Sequence, residues 1–287
     1  MNQVAKSLWS VHLAVALLGA TALFSKIIPL SATDITFARS LIAMIFLVVL
    51  VKATGGRLRL NSWKDYRMAI ALGVLMAVHW VSYFAAMQYS SISVGMIAMF
   101  TFPMMVVLLE PIFEGVKLVW QDMLSGVTVF AGILMLIPEI SLENDVTLGV
   151  VIGVFSALLY ALRNLLHRKH FTHYSGATAM AYQTLIIMLC LFFFVSEEVA
   201  SASTETYVYL FILGTFCTAM PHSMVASSLR HLRAKTFALI ACAQPLYGVG
   251  LAVLIIGEEP SWQTIVGGIL VISAAVYETV NTHRQTK

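Results

Sequence analysis

Two stretches decide how this chain folds: residues 103–129, PMMVVLLEPIFEGVKLVWQDMLSGVTV, and residues 245–271, PLYGVGLAVLIIGEEPSWQTIVGGILV. Laid on one another at an offset of 142 residues, without a gap, they match Pro103 with Pro245, Val107 with Val249, Leu109 with Leu251 and Gly115 with Gly257. They also match Trp120 with Trp262, Gln121 with Gln263, Gly126 with Gly268 and Val129 with Val271. Two apolar chains share Val and Leu by chance, but Gly, Pro, Trp and Gln are harder to match that way. The full alignment sets 85–135 against 227–277, and the chain reads as an internal repeat.

Both stretches are apolar, and so is the whole chain. Of its 287 residues 60% are hydrophobic and 11% charged, whereas a soluble domain averages roughly 45–50% and about 25%. One core cannot hide so many apolar residues, so the solvent of this chain is lipid. A spanning helix takes ~20 residues, and apolar runs fall near 8–28, 35–51, 68–87, 93–113 and 123–138, then near 147–166, 177–195, 207–227, 236–256 and 262–281. Turn or charge clusters separate them at Pro29–Asp34, Lys52–Lys64, Ser90–Ser91, Pro138–Asp145 and Gly257–Pro260. No two-residue alternation persists, which rejects a β-barrel. The expected fold is an all-α integral membrane protein of ten transmembrane helices, with no room for a soluble domain. The run after Lys6 is too long for a signal-peptide core and is expected to stay as the first span.

Charge sets the direction. With a cytoplasmic N-terminus, 15 of the 17 Lys and Arg fall on the inner side, Arg163 among them. Lys26 and Arg39 are the exceptions, while the other outer loops carry acids such as Glu139, Glu143, Glu197 and Glu258. Both termini are expected in the cytoplasm. An odd number of spans per repeat turns the second half upside down, and the loops agree. The uncharged turn Gln88–Ser93 aligns with the basic turn Arg230–Lys235, and Lys117 aligns with Glu259. Two inverted five-helix repeats, 8–140 and 147–281, follow. Such symmetry serves alternating access, with a binding site between the halves near the midplane.

The stretch Gly19-Ala-Thr-Ala-Leu-Phe-Ser-Lys26, the Arg39 opening of span 2, Ala86-Met-Gln-Tyr-Ser-Ser91 followed by Phe102-Pro103, and Gln244-Pro245 followed by Gly257-Glu258 carry a resemblance. In their order and spacing the chain resembles the drug/metabolite transporters built from two EamA-type repeats, over nearly its whole length. One departure is Glu114-Gly115, where the family usually has Gly-Glu; Glu258 matches. The resemblance implies a central cavity lined mainly by spans 1, 3, 4, 6, 8 and 9. It also implies transport of small metabolites, often amino acids or related compounds, and commonly outward.

Polar groups at depth are the candidates for contact with a substrate. His79 lies about 11 residues into span 3, ~16 Å along the helix, and Tyr83 and, across the same turn, Trp80 can share its face, with Phe84 next in line. This is an aromatic-walled site with one titrating centre, or a packed histidine bonded to a neighbouring backbone or hydroxyl. Tyr160 and Asn164 share a face of span 6, and His222 follows Pro221 in span 8. Pro103 and Pro245 sit at matching mid-span positions, where a missing amide bond makes a simple kink or a cavity-lining hinge; Gln244 offers a donor and an acceptor beside the second. Lys26 and Arg39 either snorkel to headgroups or form an electropositive outer vestibule for a carboxylate, with Asp34 between them. Glu110, before Pro111, is a candidate inner gate or proton carrier, or an interfacial acid near Arg67. Gly126, Gly132, Gly267 and Gly268 suit close helix approach.

His167, His170 and His173 read as part of a basic loop rather than a metal site, and three scattered cysteines, Cys190, Cys217 and Cys242, as packing residues. No cofactor is expected. A net charge of +3 gives no reason to expect nucleic acid. No phosphate-binding glycine loop is present, so coupling must come from protons, a counter-substrate or the substrate gradient. His79 is the first candidate for proton coupling, because imidazole titrates near neutrality. A membrane enzyme would need a nucleophile or acid–base set, and no recognised spacing supplies one. The expected function is a secondary transporter in the cytoplasmic (inner) membrane that exports an amino acid or related compound. The alternatives are an uptake carrier for a vitamin- or nucleoside-like compound, or a passive channel.

Overall fold

The computed structural model describes residues 3–114, 120–139, 141–228 and 240–285, and among them every regular element is helical. Gly115, Lys117, the turn Arg230–Lys235 and Lys287, on which part of the repeat and charge reading rests, lie outside the described residues. Helix α1 is Gln3–Ala20, continued by a tight turn Thr21–Leu23 and the short helix Phe24–Ile27. There follow α2 (Ala32–Ala53), α3 (Trp63–Tyr89), α4 (Ile92–Met99), α5 (Phe102–Glu114) and α6 (Trp120–Leu136). Then come α7 (Asp145–His170), α8 (Gly176–Leu191), α9 (Thr204–Gly214), α10 (Met220–Ser228), α11 (Gln244–Leu251) and α12 (Trp262–Gln285).

The helices begin where a side chain can take over the first free amides. Ser31, Ser62, Ser91, Ser175 and Ser203 each accept the amide three residues ahead, and Asn144 accepts two. Gly257, at φ 74°, closes the helical run after α11 in the left-handed conformation that glycine tolerates best. The basic residues expected in a loop, His167 to His170, instead form the last turn of α7, where cations meet the negative end of the helix dipole.

Seven helical stretches are long and apolar enough to cross a membrane: Leu8–Ile27, Ala32–Ala53, Trp63–Tyr89, Ile92–Phe113, Asp145–His170, Gly176–Phe194 and Thr204–Val225. Three shorter apolar helices, Trp120–Leu136, Gln244–Ile256 and Trp262–Tyr277, stand at the remaining apolar runs. The outer faces are apolar, as contact with lipid requires: Phe193 is 85% exposed and Leu254 82%. α3 packs along α7, α2 along α8, α6 along α12, and α1 against α10 and α11. Small residues permit these approaches. A Cβ on Gly132 would stand 2.8 Å from the Gly267 carbonyl, and one on Gly153 would stand 2.7 Å from the Ala98 Cβ.

Two stretches break the regular pattern. Helix α4 ends in the turn Phe100–Thr101 and the chain resumes as α5; the turn Cys242–Ala243 likewise precedes α11. Pro103 and Pro245 are the second residues of the resumed helices, where a missing amide costs least. The chain also winds into i→i+5 turns at Thr215–Ala219, between α9 and α10, and at Ala252–Ile256 after α11.

Candidate functional site

The spacing His79-x-x-x-Tyr83 on α3 meets the spacing Ser156-x-x-x-Tyr160 on α7. The Ser156 hydroxyl donates to the His79 backbone carbonyl at 2.9 Å. Its lone pairs then face His79 Nδ1 at 2.8 Å, and the Ser156 carbonyl stands 3.0 Å from the same nitrogen. Both partners are acceptors, so Nδ1 carries the hydrogen and Nε2 keeps a lone pair. The imidazole is 2% exposed and lies nearly parallel to the Tyr160 ring at 4.7 Å and the Tyr83 ring at 6.1 Å. Phe102, at the start of α5, meets the far side of Tyr160 edge-on at 5.0 Å. The hydrogen-bonded histidine is therefore also one wall of an aromatic stack drawn from α3, α5 and α7.

The adjoining face of α3 holds a cation. The Arg39 guanidinium stands 3.9 Å from the centroid of Trp80 and 4.5 Å from that of Phe84. Arg39 is 2% exposed, and its Nε and Nη2 have no hydrogen-bond partner. Instead of reaching headgroups it points into the bundle, because the faces of Trp80 and Phe84 accept it there. Its neighbour Asp34 is engaged elsewhere, accepting from Ser196 N at 2.8 Å, Ser196 Oγ at 3.0 Å and Ser31 Oγ at 2.7 Å. Trp80 in turn touches His222 of α10, ring to ring at 5.8 Å.

A second guanidinium completes the cluster. Arg163, counted in the sequence among the cytoplasmic charges, is 9% exposed. Its Nε donates to Gln183 Oε1 at 2.8 Å and its Nη1 to Asn164 Oδ1 at 3.0 Å. The Arg163 and Arg39 charges both lie within electrostatic range of His79 and of His222. Sequence reasoning missed Ser156 and Arg163 as members of this group. A helical projection of α7 through Tyr160 would have found them, since 156, 160 and 163 form one stripe.

Other expected site residues lie apart. Gln244 begins α11, whose backbone packs against Gly19 of α1, and no hydrogen bond or ring contact joins its side chain to the His79 group. Lys26 caps the end of α3, donating from Nζ to the Gln88 carbonyl at 3.0 Å and the Ser90 carbonyl at 3.2 Å. Glu258 caps the start of α4, accepting from Ile92 N at 3.0 Å and Ser93 N at 2.9 Å. The turn between α3 and α4 is thus held by both charges. Glu110 pairs with Arg168 at 2.7 Å rather than with Arg67, and Lys169 Nζ donates to the Phe113 carbonyl at 2.9 Å. His173 Nε2 stands 3.7 Å from Asp65, which also accepts from the Tyr174 hydroxyl at 2.8 Å.

The EamA-like transporter family model matches residues 6–137 and again 147–277. An uncharacterized transporter of Bacillus subtilis (strain 168), YxxF, is 25% identical over 282 residues, which are 96% of this chain and 89% of that protein. The pseudopaline exporter CntI of Pseudomonas aeruginosa (strain UCBPP-PA14) is 24% identical over 252 residues, 86% of each chain. A solved crystal structure superposes on 98% of both chains with a TM-score of 0.66 at 15% identity, a likeness of fold alone.

Proposed function

The chain belongs to the EamA-like transporter family, and from that premise we propose that it is a secondary transporter moving a small metabolite across the cytoplasmic membrane by alternating access. The seven long and three shorter apolar helices support ten spans arranged as two inverted five-helix repeats, 8–140 and 147–281. Two consecutive matches to one family model, each covering nearly half the chain, and the 142-residue self-alignment favour the same division. The charge bias of the loops favours a cytoplasmic side for both termini. Outward transport of an amino acid or related compound is the favoured direction and class, in keeping with the exporter among the relatives.

One observation carries the reading. Rings, two histidines and two guanidiniums from α2, α3, α7 and α10 converge in the interior, where a purely structural bundle would place apolar side chains. In this reading Trp80, Tyr83, Phe84 and Tyr160 form the walls, and His79, Asn164 and His222 supply the polar contacts. The breaks ahead of Pro103 and Pro245 are the hinges, and Gln244 approaches the substrate when the second of them moves. The Glu110–Arg168 pair is the inner gate; the Lys26 and Glu258 caps close the outer end, with Arg39 below them. Flux into liposomes, measured across a pH series for wild type and His79→Gln, tests the assignment. A change in affinity or in pH dependence is expected. Identical flux at every pH removes His79 from the substrate and coupling site.

A further inference from the structure

We propose that Arg39 is the anchor for the carboxylate of a small organic anion, which narrows the amino acids and related compounds favoured above to those that carry net negative charge. The inference rests on reading the Arg39–His79 cluster as the transporter's substrate site. Arg39 keeps its charge more firmly than any other side chain would, yet at 2% exposure two of its nitrogens, Nε and Nη2, lack a partner. Those two nitrogens form the guanidinium edge that meets a carboxylate with two parallel hydrogen bonds. Trp80 and Phe84 cover the group from its faces, at 3.9 and 4.5 Å, and its Nε–Nη2 edge is left without an acceptor.

The groups around it are hydrogen-bond donors in want of acceptors. Tyr83 Oη, within electrostatic range of Arg39, is buried without a partner, as are Thr36 Oγ1 and Thr215 Oγ1. Thr36 lies one turn before Arg39 on α2. Thr215 opens the widened turn that faces α2, directly after Gly214, where a Cβ would stand 3.0 Å from the Arg39 carbonyl. Such turns recur at functional sites because they shift side chains out of helical register.

The charge balance points the same way. Arg163 engages, among the described residues, the neutral groups Gln183, Asn164 and the Met180 sulfur at 3.4 Å. Among the described residues neither arginine forms an ion pair. Two desolvated cations with no acid between them favour an anion over a cation or a zwitterion. The ammonium of an amino acid would find ring faces, hydroxyls and the His79 Nε2 lone pair but no carboxylate here, whereas a carboxylate finds the guanidinium edge. The stacked rings leave the remainder of the substrate free to be flat and apolar.

Matched probes that differ only in their end group test this: 3-phenylpropionate, 3-phenylpropionamide and 3-phenylpropylamine, with succinate and succinamide as a non-aromatic pair. Binding to the full-length protein in lipid nanodiscs is read from tryptophan fluorescence and from the shift in thermal unfolding. Saturable binding of a carboxylate is expected, with its amide at least about tenfold weaker, the factor of one good charge-assisted bond, and no binding of the amine. Arg39→Gln should weaken the carboxylate about a hundredfold, as loss of a desolvated charge partner does, and weaken the amide far less. Should Arg39→Gln fail to fold, Arg39→Lys, which keeps the charge but loses the planar edge, should weaken it about tenfold.

Equal affinity for amide and carboxylate, tighter binding of the amine, no saturable carboxylate binding, or an unchanged affinity in the Arg39 variants each overturns the proposal. Counterflow in liposomes separates it from the transport reading. A carboxylate that binds through Arg39 but is never carried leaves the anion site and removes the transporter. Carriage of an amine or neutral compound that carboxylates do not inhibit does the reverse.

Discussion

Replacing Glu258 with Gln removes one acceptor from the cap that joins the far end of the chain to α4. In the wild type the carboxylate serves Ile92 N at 3.0 Å and Ser93 N at 2.9 Å, while Ser91 Oγ serves Val94 N at 3.2 Å. A glutamine has one carbonyl oxygen, so one of the two amides loses its partner and meets the NH2 group instead. Ile92 and Ser93 are both 0% exposed, so water cannot simply take over. An orphaned buried amide costs about 1–3 kcal/mol, and losing the anion at a helix N-terminus adds ~0.3–1 kcal/mol. A loss of about 2 kcal/mol corresponds to a roughly 30-fold easier opening of this helix start. Amide hydrogen exchange of the 88–99 segment in nanodiscs reads that factor directly. Exchange at Ile92 and Ser93 should rise by roughly 30-fold, with Glu259→Gln, at an exposed neighbour, as the unaffected control. Unchanged exchange in Glu258→Gln would refute the capping argument.

Other perturbations are graded by what they touch. Ser156→Ala removes the donor to the His79 carbonyl but leaves Nδ1 its second acceptor, so thermal unfolding should report a loss of about 1 kcal/mol; a loss several times larger would mean that the helix pair depends on this bond. Gly248→Ala drives a methyl into the Met96 side chain and towards the Gly19 carbonyl at 3.1 Å, whereas Gly250 has nothing within 4 Å. The first should destabilise by about 1–3 kcal/mol and Gly250→Ala should be neutral or stabilising; equal melting temperatures would contradict the packing of α11 on α1. Glu110→Gln breaks an ion pair whose partners are 24% and 43% exposed, so stability should fall by less than ~1 kcal/mol while flux in liposomes changes. A stability loss with unaltered flux would make the pair structural rather than a gate.

Several helix starts were legible because a short polar side chain stands ahead of an apolar run, as at Ser31, Ser91 and Ser175. The pairing of His79 with Tyr83 was legible too, from helical spacing alone. Arg39 stood out as an exception to the charge count, but neither its inward position nor that of Arg163 was legible, since counting charges by loop assigns every arginine to a membrane surface. What draws Arg39 inward is the pair of rings on a different helix, and no local pattern reveals which helix will lie opposite. The same limit applies to Gln244: its neighbour Pro245 marks the break, but only the fold shows that its backbone lies against Gly19 of α1. The widened turn at Thr215–Ala219 leaves no trace in hydrophobic spacing, because Phe, Cys and Ala continue the apolar run.

The account stands or falls on whether the cluster between α2, α3, α7 and α10 carries a solute across the bilayer. Counterflow measures this most directly: purified protein in liposomes preloaded with excess unlabelled compound, diluted into a trace of the same labelled compound, with pools of carboxylates, amino acids, vitamins and nucleosides taken in turn. A transient, saturable overshoot above protein-free liposomes, lost in Trp80→Ala, is the predicted result. Rapid, non-saturating equilibration with no overshoot would contradict alternating access and describe a channel instead.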